Sequence, residues 1–520
     1  MSDTVTIEIH RNCYKIYPFK LSRWDSKTRS MVGTSPTLDK YYRVFEKYPK
    51  YITFTDKLKL YDKNEHVFYV PIGADIETIK DKLSTDGTYF NIIDKSNEYV
   101  CPRDISFSID EKYQLRDMDQ AEGITFLTTD KLFHTRILAL STGKGKTFCS
   151  VISAFKLGMP ILIISETISD QWIKNIEEYT GGSCTIANKR IKLVKGSSNF
   201  INMLNNRKAD KSYFYITTAS TLYSAIEKYG KEMINKVCEF LGIGIKCFDE
   251  YHLHWAQNTI IDMSIKAYLT WYVTATPSRS QQSEKSLFYK ITKKIPVYGT
   301  KTFYERVDIN IINVEYNTFP NEYEHQQCFG SKGLSGILYW NYLFSKYSNI
   351  VYICGILRII IDEMIQKEPN GKILIYLCKI EHINKLKEEF ENIYTRMDFG
   401  NYTTAVEKKK KRMELNNNVI FTTVQSGGVG LDVENLQCVI SMVPFSSNIT
   451  AVQLIGRLRE LKDENGKPKE LYLYDCYDIG FGAMIRQHQT RMSVYQHRAK
   501  TSDTIQISQR DAIEYLRNNV

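Results

Sequence analysis

Short apolar runs recur along the chain, and the polar segments between them change in length from one region to the next. Up to about residue 105 the runs, such as 67–70, are separated by turns and by one helix-length segment at 76–83. From about 106 to 300, and again from about 349 to 490, strand-length apolar runs alternate with segments long enough for helices. Strands that alternate with helices predict parallel sheets covered on both faces. The pattern therefore predicts a small α+β domain followed by two tandem α/β domains.

These changes in pattern set the predicted domain boundaries. We assign 1–105 to the N-terminal α+β domain, a candidate DNA-binding accessory, and 106–300 to the first α/β domain. The second α/β domain spans 349–490, between an aromatic and polar connector or insertion at 301–348 and a polar tail at 491–520. Aromatic side chains of the connector could stack on bases, but Trp and Tyr more often pack in a core. They are Tyr339, Trp340, Tyr342 and Phe344.

The composition indicates a folded protein without a membrane span. Of the 520 residues, 43% are hydrophobic and 25% are charged, which is enough apolar surface for two or three packed domains. No apolar stretch approaches the length of a transmembrane helix, and the first residues do not resemble a signal peptide. We therefore expect a soluble, intracellular protein with no membrane partner.

Cysteine spacing and net charge narrow the class of partner. The eleven cysteines are scattered singly, without a C-x-x-C pair, so we expect reduced thiols and no zinc site. The formal charge of +10 suits a partner that carries phosphates. The net charge alone is only weak support for nucleic-acid binding, because many soluble proteins that bind no nucleic acid have a similar charge. A basic run at 408–412 is a candidate DNA contact, although a solvated helix surface is the more common explanation.

A glycine-rich loop follows the apolar run 137–140 and opens a helix-length segment. Backbone N–H groups of such a loop, together with a helix N-terminus, can surround phosphate oxygens. Lys146 would reach the β- and γ-phosphates, and the Thr147 hydroxyl would bind Mg²⁺. The strict P-loop pattern lacks its first glycine, because Leu140 stands there. A glycine-rich surface turn is the alternative. The loop residues assigned to ATP are Thr142, Gly143, Gly145, Lys146 and Thr147.

An acidic pair, at 249–250, directly follows the predicted strand 245–248. It lies at the carboxyl end of that strand, where open α/β sheets bind ligands. We assign Asp249 to Mg²⁺ and Glu250 to orienting and deprotonating the attacking water. By itself, a D-E-x-H segment is equally well explained as a solvated loop. The phosphate loop about 100 residues upstream makes the catalytic interpretation the better one.

The two motifs, in this order and with D-E-x-H as the second, resemble those of superfamily 2 helicases. Other segments match the helicase motifs Ia, Ib, III, IV, V and VI in order, at 161–172, 217–221, 273–277, 372–378, 422–432 and 453–459. The resemblance implies two RecA-like lobes that hydrolyse ATP at their interface, with ATP and Mg²⁺ as cofactors. It places Gly430, Asp432 and Gln453 at the nucleotide. It implies that His252, Thr274 and Thr276 couple the ATP site to the nucleic-acid-binding face.

Besides Leu140, this sequence departs from the helicase pattern at three places. Glu166 stands where motif Ia usually has Pro. Gln120 is the candidate for reading adenine, but the segment before it is one residue too long, and a surface-helix Gln is the alternative. In motif VI the second arginine, Arg459, comes one residue early, and Glu460 takes its usual place. We assign both Arg457 and Arg459 to the γ-phosphate, which requires a helix shortened or distorted at Gly456.

Within superfamily 2, the motifs look most like those of XPB, poxvirus transcript-release helicases and phage helicases of the UvsW type. A faint match of 58–83 to the small N-terminal domain of the UvsW type favours a phage or large-virus enzyme, acting in the host cytoplasm. We expect a monomer acting on single-stranded or branched DNA. The alternatives are an RNA- or transcription-complex-directed helicase, a translocase subunit of a restriction system, and a non-catalytic nucleic-acid-binding scaffold.

Overall fold

The computed structural model describes most of the chain. The described residues are 4–17, 23–32, 60–62, 65–85, 87–129, 133–140, 144–166, 170–204, 212–275, 282–299, 309–331, 333–393, 399–403, 405–406, 410, 413–428, 431, 433–459, 461–463 and 466–518. They form two compact units, Met1–Lys301 and Thr302–Val520. We call these the N-terminal unit and the C-terminal unit.

The N-terminal unit begins with a small mixed sheet. Its elements are β1 (Thr4–Ile9), β2 (Cys13–Tyr17), β3 (Arg23–Asp25), β4 (Ser30–Val32), β5 (Tyr61–Asp62), β6 (Val67–Pro71), α1 (Ile76–Thr85) and β7 (Tyr89–Asp94). The strand order is β5-β6-β2-β1-β7, with β1 antiparallel to β2 and parallel to β7, while β3 and β4 pair separately. Helix α1 buries Ile76, Ile79 and Leu83, the spacing of one helix face. A small N-terminal α/β region is therefore present.

A parallel sheet of seven strands fills the rest of the N-terminal unit. Its elements are α2 (Met118–Thr128), β8 (Thr135–Ala139), α3 (Lys146–Leu157), β9 (Ile161–Ser165), α4 (Asp170–Tyr179), β10 (Ile191–Leu193), α5 (Ser197–Asn202), β11 (Phe214–Thr218), α6 (Ala219–Tyr229), α7 (Lys231–Leu241), β12 (Ile245–Asp249), α8 (Trp255–Ser264), β13 (Leu269–Thr274), α9 (Gln282–Thr292) and β14 (Val297–Gly299). The strand order is β10-β11-β9-β12-β13-β8-β14. Strands β8, β12 and β13 are adjacent, so the segments that follow them lie at one edge of the sheet.

The central strands are buried on both faces, because neighbouring residues point into different cores. In β9, Ile161 and Ile163 pack in one hydrophobic cluster, and Leu162 and Ile164 pack in the other. This burial explains the continuous apolar run of the strand. The second of these clusters also contains side chains of the small N-terminal sheet, Val5 among them. The small sheet therefore shares a core with the larger one.

Polar contacts fix the small sheet against the larger one. The side-chain N–H of Asn12 donates to the backbone oxygen of Asp262 over 2.5 Å and to that of Ile265 over 3.1 Å. The guanidinium of Arg11 lies 3.8 Å from the ring centre of Tyr99 and 4.5 Å from that of Tyr268. These interactions bury the end of the β1–β2 turn, so the small domain is an integral part of the N-terminal unit.

The C-terminal unit contains a second parallel sheet of seven strands. Its elements are β15 (Ile309–Tyr316), α10 (Glu322–Gln327), β16 (Phe329–Gly330), β17 (Gly333–Leu334), α11 (Gly336–Ser345), α12 (Tyr347–Lys367), β18 (Lys372–Leu377), α13 (Ile380–Ile393), β19 (Phe399–Tyr402), β20 (Val419–Thr423), α14 (Val424–Gly428), β21 (Leu436–Ser441), α15 (Asn448–Ile455), β22 (Leu471–Asp478), α16 (Gly482–Tyr495), β23 (Ala499–Gln506) and α17 (Gln509–Asn518). The strand order is β19-β20-β18-β21-β22-β15-β23. Two parallel sheets flanked by helices agree with the predicted tandem RecA-like architecture.

Two stretches have more structure than their sequences suggested. The stretch 301–348, interpreted as a connector, contains β15, which pairs with β22 and β23 inside the second sheet. The stretch 491–520, interpreted as a tail, contains β23 and helix α17, which buries Ala512 and Leu516 against the core. The described parts of both stretches therefore belong to the folded C-terminal unit. Among the described residues, no helix is long and apolar enough to cross a bilayer.

Candidate functional site

The phosphate loop of the N-terminal unit leads directly into helix α3, which begins at Lys146. Gly145 precedes the helix with φ of +84°, a left-handed conformation that favours glycine. A Cβ atom at Gly145 would lie 2.4 Å from the side-chain nitrogen of Gln120. Both the backbone conformation and this close contact therefore require glycine. Thr147 lies in the first turn of α3, whereas Thr142 and Gly143 lie outside the described residues.

The side chain of Gln120 is buried against the phosphate loop. Its side chain is 1% exposed, its oxygen accepts from the backbone N–H of Arg116 over 3.0 Å, and its nitrogen donates to the backbone oxygen of Lys144 over 3.2 Å. The alternative of a surface-helix glutamine is therefore wrong. Its backbone N–H donates to Asp117, the N-cap of α2. The role of Gln120 in reading adenine stays a prediction.

Lys146 links the phosphate loop to the acidic pair. Its ammonium nitrogen lies 3.6 Å from Oε1 of Glu250 and donates to the backbone oxygen of Leu140 over 3.3 Å. Leu140 follows β8, and Asp249 ends β12, so the contact joins the ends of two strands in one sheet. The sequence places these groups about 100 residues apart, and the fold brings them together.

Glu250 is held in a defined orientation by its neighbours. Its φ of +47° is left-handed, a conformation that costs a non-glycine residue energy and is often found at functional sites. Its Oε2 atom accepts from the Thr274 hydroxyl over 3.2 Å and from the Ala275 N–H over 3.4 Å. Burial alone would raise the pKa of this carboxyl, but Lys146, His252 and these donors outweigh it and lower the pKa. The side chain is therefore a carboxylate, as a general base must be.

His252 and Thr274 extend this arrangement. Both side chains are buried, at 1% and 2% exposure, and Nδ1 of His252 lies 2.7 Å from the Thr274 hydroxyl oxygen. Because the Thr274 hydroxyl donates its hydrogen to Glu250, it must accept from His252, which places a proton on Nδ1. A continuous chain of hydrogen bonds thus runs from His252 through Thr274 to Glu250. Thr276 lies outside the described residues.

Asp249 is the last residue of β12 and directly precedes Glu250. Burial, and then the charge of Glu250, raise the pKa of Asp249 to about 6. Its Oδ2 atom accepts from the indole N–H of Trp172 over 2.8 Å. A buried carboxylate with a raised pKa gains stability from a cation, and oxygen ligands such as Asp249 and Thr147 are those that Mg²⁺ prefers. The side chains present therefore fit a Mg²⁺ ion, which Asp249 and Thr147 would hold together with oxygens of water and phosphate.

Two contacts of the acidic segment were not predicted from the sequence. Trp172, on α4, touches Asp249, and Glu166, at the end of β9, lies 3.5 Å from Nε2 of His254. The match of 161–172 to motif Ia singled out Trp172 and Glu166 without indicating a partner for either. The motif Ia pattern covers one segment of the chain. It does not show that this segment lies beside the acidic one, which follows from the pairing of β9 with β12. Motif Ia thus contacts the D-E-x-H segment through Trp172 and the residues just after that segment through Glu166.

In the C-terminal unit, motif VI lies at the end of helix α15. The helix ends at Ile455, and three-residue turns follow, with the N–H of Arg457 donating to Leu454 and that of Leu458 donating to Ile455. The shortened helix that the placement of two arginines requires is therefore present. Arg457 donates to the backbone oxygen of Leu431 in motif V over 2.5 Å. Arg459 is half-buried, whereas Glu460 lies outside the described residues.

Arg498, 43 positions after Ile455 in the sequence, binds this helix end. Its guanidinium donates to the backbone oxygens of Ile455 over 2.9 Å and of Leu458 over 3.1 Å. The Ile455 oxygen also accepts from the N–H of Leu458, so the guanidinium adds a side-chain bond to the turn that ends the helix. Arg498 therefore fixes the turn that carries the two motif VI arginines.

Some of the other predicted positions of the C-terminal unit lie among the described residues, and others do not. Gln453 lies on α15 and is half-buried, whereas Gly430 and Asp432 lie outside the described residues. Of the basic run 408–412, only Lys410 is described, and it is exposed. Trp340, in the stretch interpreted as a connector, is 1% exposed and donates its indole N–H to Met442. Tyr339 and Tyr342 are also buried, so core packing is confirmed for these aromatic residues.

The two sheets, and the phosphate loop and acidic pair at the strand ends of the first, define a helicase-type architecture of two RecA-like domains. Sequence comparison agrees with this class. Residues 110–279 match the family described as type III restriction enzyme, res subunit, and residues 355–460 match the helicase conserved C-terminal domain. The chain thus has the two domains of a superfamily 2 helicase-type ATPase. No curated protein matches the sequence.

Solved structures share the fold at low sequence identity. S. cerevisiae Dbp5 bound to RNA and ADP BeF3 aligns with 11% identity and a TM-score of 0.51, over 78% of this chain and 93% of that chain. Mss116p bound to ssRNA and AMP-PNP aligns with 15% identity and a TM-score of 0.52, over 80% of this chain and 85% of that chain. T4 UvsW aligns over 98% of this chain and 100% of its own, with 15% identity, but its TM-score of 0.35 is too low to support an argument.

Proposed function

We propose that the protein is an ATP-dependent DNA helicase or translocase that moves along or remodels single-stranded or branched DNA. The observation that carries this proposal is the approach of Lys146 to Glu250, 3.6 Å apart, in the segments that follow strands β8 and β12 of one parallel sheet. A cation at a helix N-terminus can bind the phosphates, and a nearby carboxylate can orient the attacking water, so this pair suits phosphoryl transfer to water.

Each residue of the site has a proposed role. Lys146 and the backbone N–H groups of the loop, from Thr142 through Gly143 and Gly145, bind the phosphates. Thr147 and Asp249 hold Mg²⁺, which when bound neutralises charge on the phosphate oxygens. Glu250 orients the attacking water and accepts its proton. The hydrogen bonds from Thr274 and Ala275 keep that carboxylate ionised and aimed.

Residues further from the acidic pair complete the nucleotide site in this proposal. Gln120 reads adenine from beneath the loop, where its buried amide already contacts the backbone of the phosphate loop. From the C-terminal unit, Arg457 and Arg459 act on the γ-phosphate, and the residues Gly430, Asp432 and Gln453 contact the nucleotide. His252, Thr274 and Thr276 report the state of the site to the nucleic-acid-binding face. The chain of hydrogen bonds from His252 to Glu250 supports this coupling.

The proposed nucleic-acid contacts are made by motifs Ia, Ib, IV and V. Thr218 caps helix α6 by accepting from the N–H of Thr221, and Thr423 accepts from the N–H of Ser426 in motif V. Hydroxyls and helix N-termini of this kind suit backbone phosphates and carry no sequence information. Binding should therefore weaken steeply as salt is added and should vary little among scrambled oligonucleotides.

RNA is the second candidate substrate, because Dbp5 and Mss116p, which share the fold, are described as bound to RNA. One experiment separates the candidates: steady-state ATPase activity with single-stranded DNA, duplex, forked DNA, four-way junctions and RNA at equal nucleotide concentration. Greatest stimulation by single-stranded or branched DNA supports the proposal, and greatest stimulation by RNA supports the alternative. Binding without turnover on any of them would identify a non-catalytic scaffold.

A further inference from the structure

We infer that Trp172 is a positioning residue for Mg²⁺–nucleotide binding, acting through Asp249. The inference rests on the proposed function, because it assigns Asp249 to the metal. Trp172 lies on helix α4, 77 positions before Asp249, and belongs to none of the residues assigned to the phosphates or to water activation.

The contact between these two side chains is short and enclosed. The indole N–H of Trp172 lies 2.8 Å from Oδ2 of Asp249, and Trp172 is only 3% exposed. Its ring packs in the same hydrophobic cluster as Ile163 of β9 and Cys247 of β12. Since the ring is fixed by this packing, the hydrogen bond fixes the rotation of the carboxylate at the end of β12.

The chemistry of an indole suits this task. An indole N–H donates one hydrogen bond and carries no charge. A lysine or arginine at the same place would neutralise the carboxylate and weaken its attraction for a cation. Trp172 therefore orients Asp249 while leaving its negative charge for the metal. Partners of this kind, which hold a ligand without touching the metal, contribute about 10- to 100-fold to metal affinity.

The position of Trp172 also connects the metal site with motif Ia. Strand β9, which precedes α4, pairs with β12 so that Ile164 lies beside Phe248, one residue before Asp249. At the end of β9, Glu166 lies 3.5 Å from His254, four residues beyond Glu250. The segment proposed to bind nucleic acid therefore contacts the acidic segment at Glu166, before α4, and at Trp172, in the first turn of α4.

The test is the affinity of a fluorescent, non-hydrolysable ATP analogue, measured once in excess Mg²⁺ and once in EDTA. For Trp172→Phe we expect binding in Mg²⁺ to weaken by about tenfold or more, and binding in EDTA to remain at the wild-type value. The ratio of the two affinities, rather than turnover, reports the metal contribution. A structural defect would weaken both affinities together.

Trp271→Phe is the matched control. Trp271 is fully buried in the same cluster, on β13, and its indole nitrogen has no hydrogen-bond partner among the described residues. Trp271→Phe removes the same side-chain atoms as Trp172→Phe. It should keep the wild-type ratio of analogue affinity in Mg²⁺ to that in EDTA. If Trp172→Phe does not fold, site-specific incorporation of 3-benzothienylalanine at 172 replaces only the N–H group by sulfur and should reproduce the loss.

The outcomes separate the two proposals. If wild type binds the analogue more tightly in Mg²⁺ but the change at Trp172 leaves the ratio unaltered, the inference about Trp172 is wrong and the proposed function stands. An equal loss of ratio in Trp271→Phe would also overturn the inference, because it would indicate general loss of packing. If wild type does not bind the analogue at all, the proposed function itself fails.

Discussion

The hydroxyl of Thr274 donates to the carboxylate of Glu250 over 3.2 Å, from the end of the neighbouring strand β13. Thr274 belongs to motif III and Glu250 to the D-E-x-H segment, 24 positions earlier in the sequence. The contact arises because β12 and β13 are parallel and in register, with Asp249 beside Val273. A shift of one strand end relative to the other would therefore be transmitted to the proposed general base.

Replacing Lys146 with alanine should abolish ATP turnover, because the loop loses the cation proposed for the β- and γ-phosphates. Nucleic-acid binding without ATP should survive. Steady-state ATPase and strand-binding assays measure the two effects. Lys156→Ala is the control, since Lys156 lies exposed near the end of the same helix. Turnover near the wild-type rate in Lys146→Ala would show that this loop does not bind ATP for hydrolysis.

Glu250→Gln should bind ATP but hydrolyse it on the order of a hundredfold more slowly or worse, because an amide cannot accept the proton of water. Single-turnover hydrolysis and analogue binding distinguish the two steps. Glu239→Gln, at an exposed position on α7, should behave as wild type. Normal hydrolysis by the Glu250 variant would assign water activation to another residue.

Arg457→Ala and Arg459→Ala should each reduce turnover at saturating DNA by at least about a hundredfold, less than a full arginine-finger effect because each variant retains the other arginine. The helix ends at Ile455, so the two side chains are not forced apart by helical rotation. Arg486→Ala removes an exposed arginine from α16 and should have no effect. A wild-type rate for Arg459→Ala would leave Arg457 as the one finger.

The stability of the small N-terminal sheet should depend on pH through Glu8. Burial would raise the pKa of this carboxyl, but hydrogen bonds from Tyr17, His10 and Lys95 outweigh it and lower the pKa to about 2. The folded-state pKa lies below the ordinary value of 4.5, so Glu8 stabilises the fold above pH 4.5 and this contribution is lost as the pH falls towards 2.

Urea unfolding of wild type and Glu8→Gln at several pH values measures this effect. The gap in unfolding free energy should be at most about 3 kcal/mol at neutral pH and should shrink between about pH 5 and pH 2. Glu77→Gln, at an exposed position on α1, is the control and should show no comparable gap. A gap that is independent of pH would indicate that Glu8 acts through packing alone.

The sequence predicted the central strands and the ends that carry the site, because these strands are continuous apolar runs followed by glycine or acidic residues. It did not predict β23, whose sequence AKTSDTIQ is mostly exposed and has no apolar period. That strand is defined by its pairing with β15, which no local pattern encodes. The short strands β10 and β14 were missed for a related reason, since three residues do not establish a period.

The candidate site divides in the same way. Lys146, Asp249 and Glu250 were found because their chemistry requires fixed residue types at fixed spacing. Two further contacts join residues that are far apart in the sequence, and they depend on the order of strands in the sheets. They are Trp172 with Asp249, and Arg498 with the end of the motif VI helix. The burial of Gln120 beneath Gly145 could not be read from a segment whose spacing departs from the pattern.

The order of strands in the second sheet has a practical consequence for dissecting the protein. The helicase C-terminal match ends at residue 460, before β22 begins, yet β22 is the strand that joins β21 to β15. A fragment cut at the limits of that match would leave β21 with an open hydrogen-bonding edge in the middle of what should be a continuous sheet. Open edges of this kind recruit other chains. Such a fragment should aggregate on expression, whereas one that spans 302–520 keeps all seven strands of the sheet.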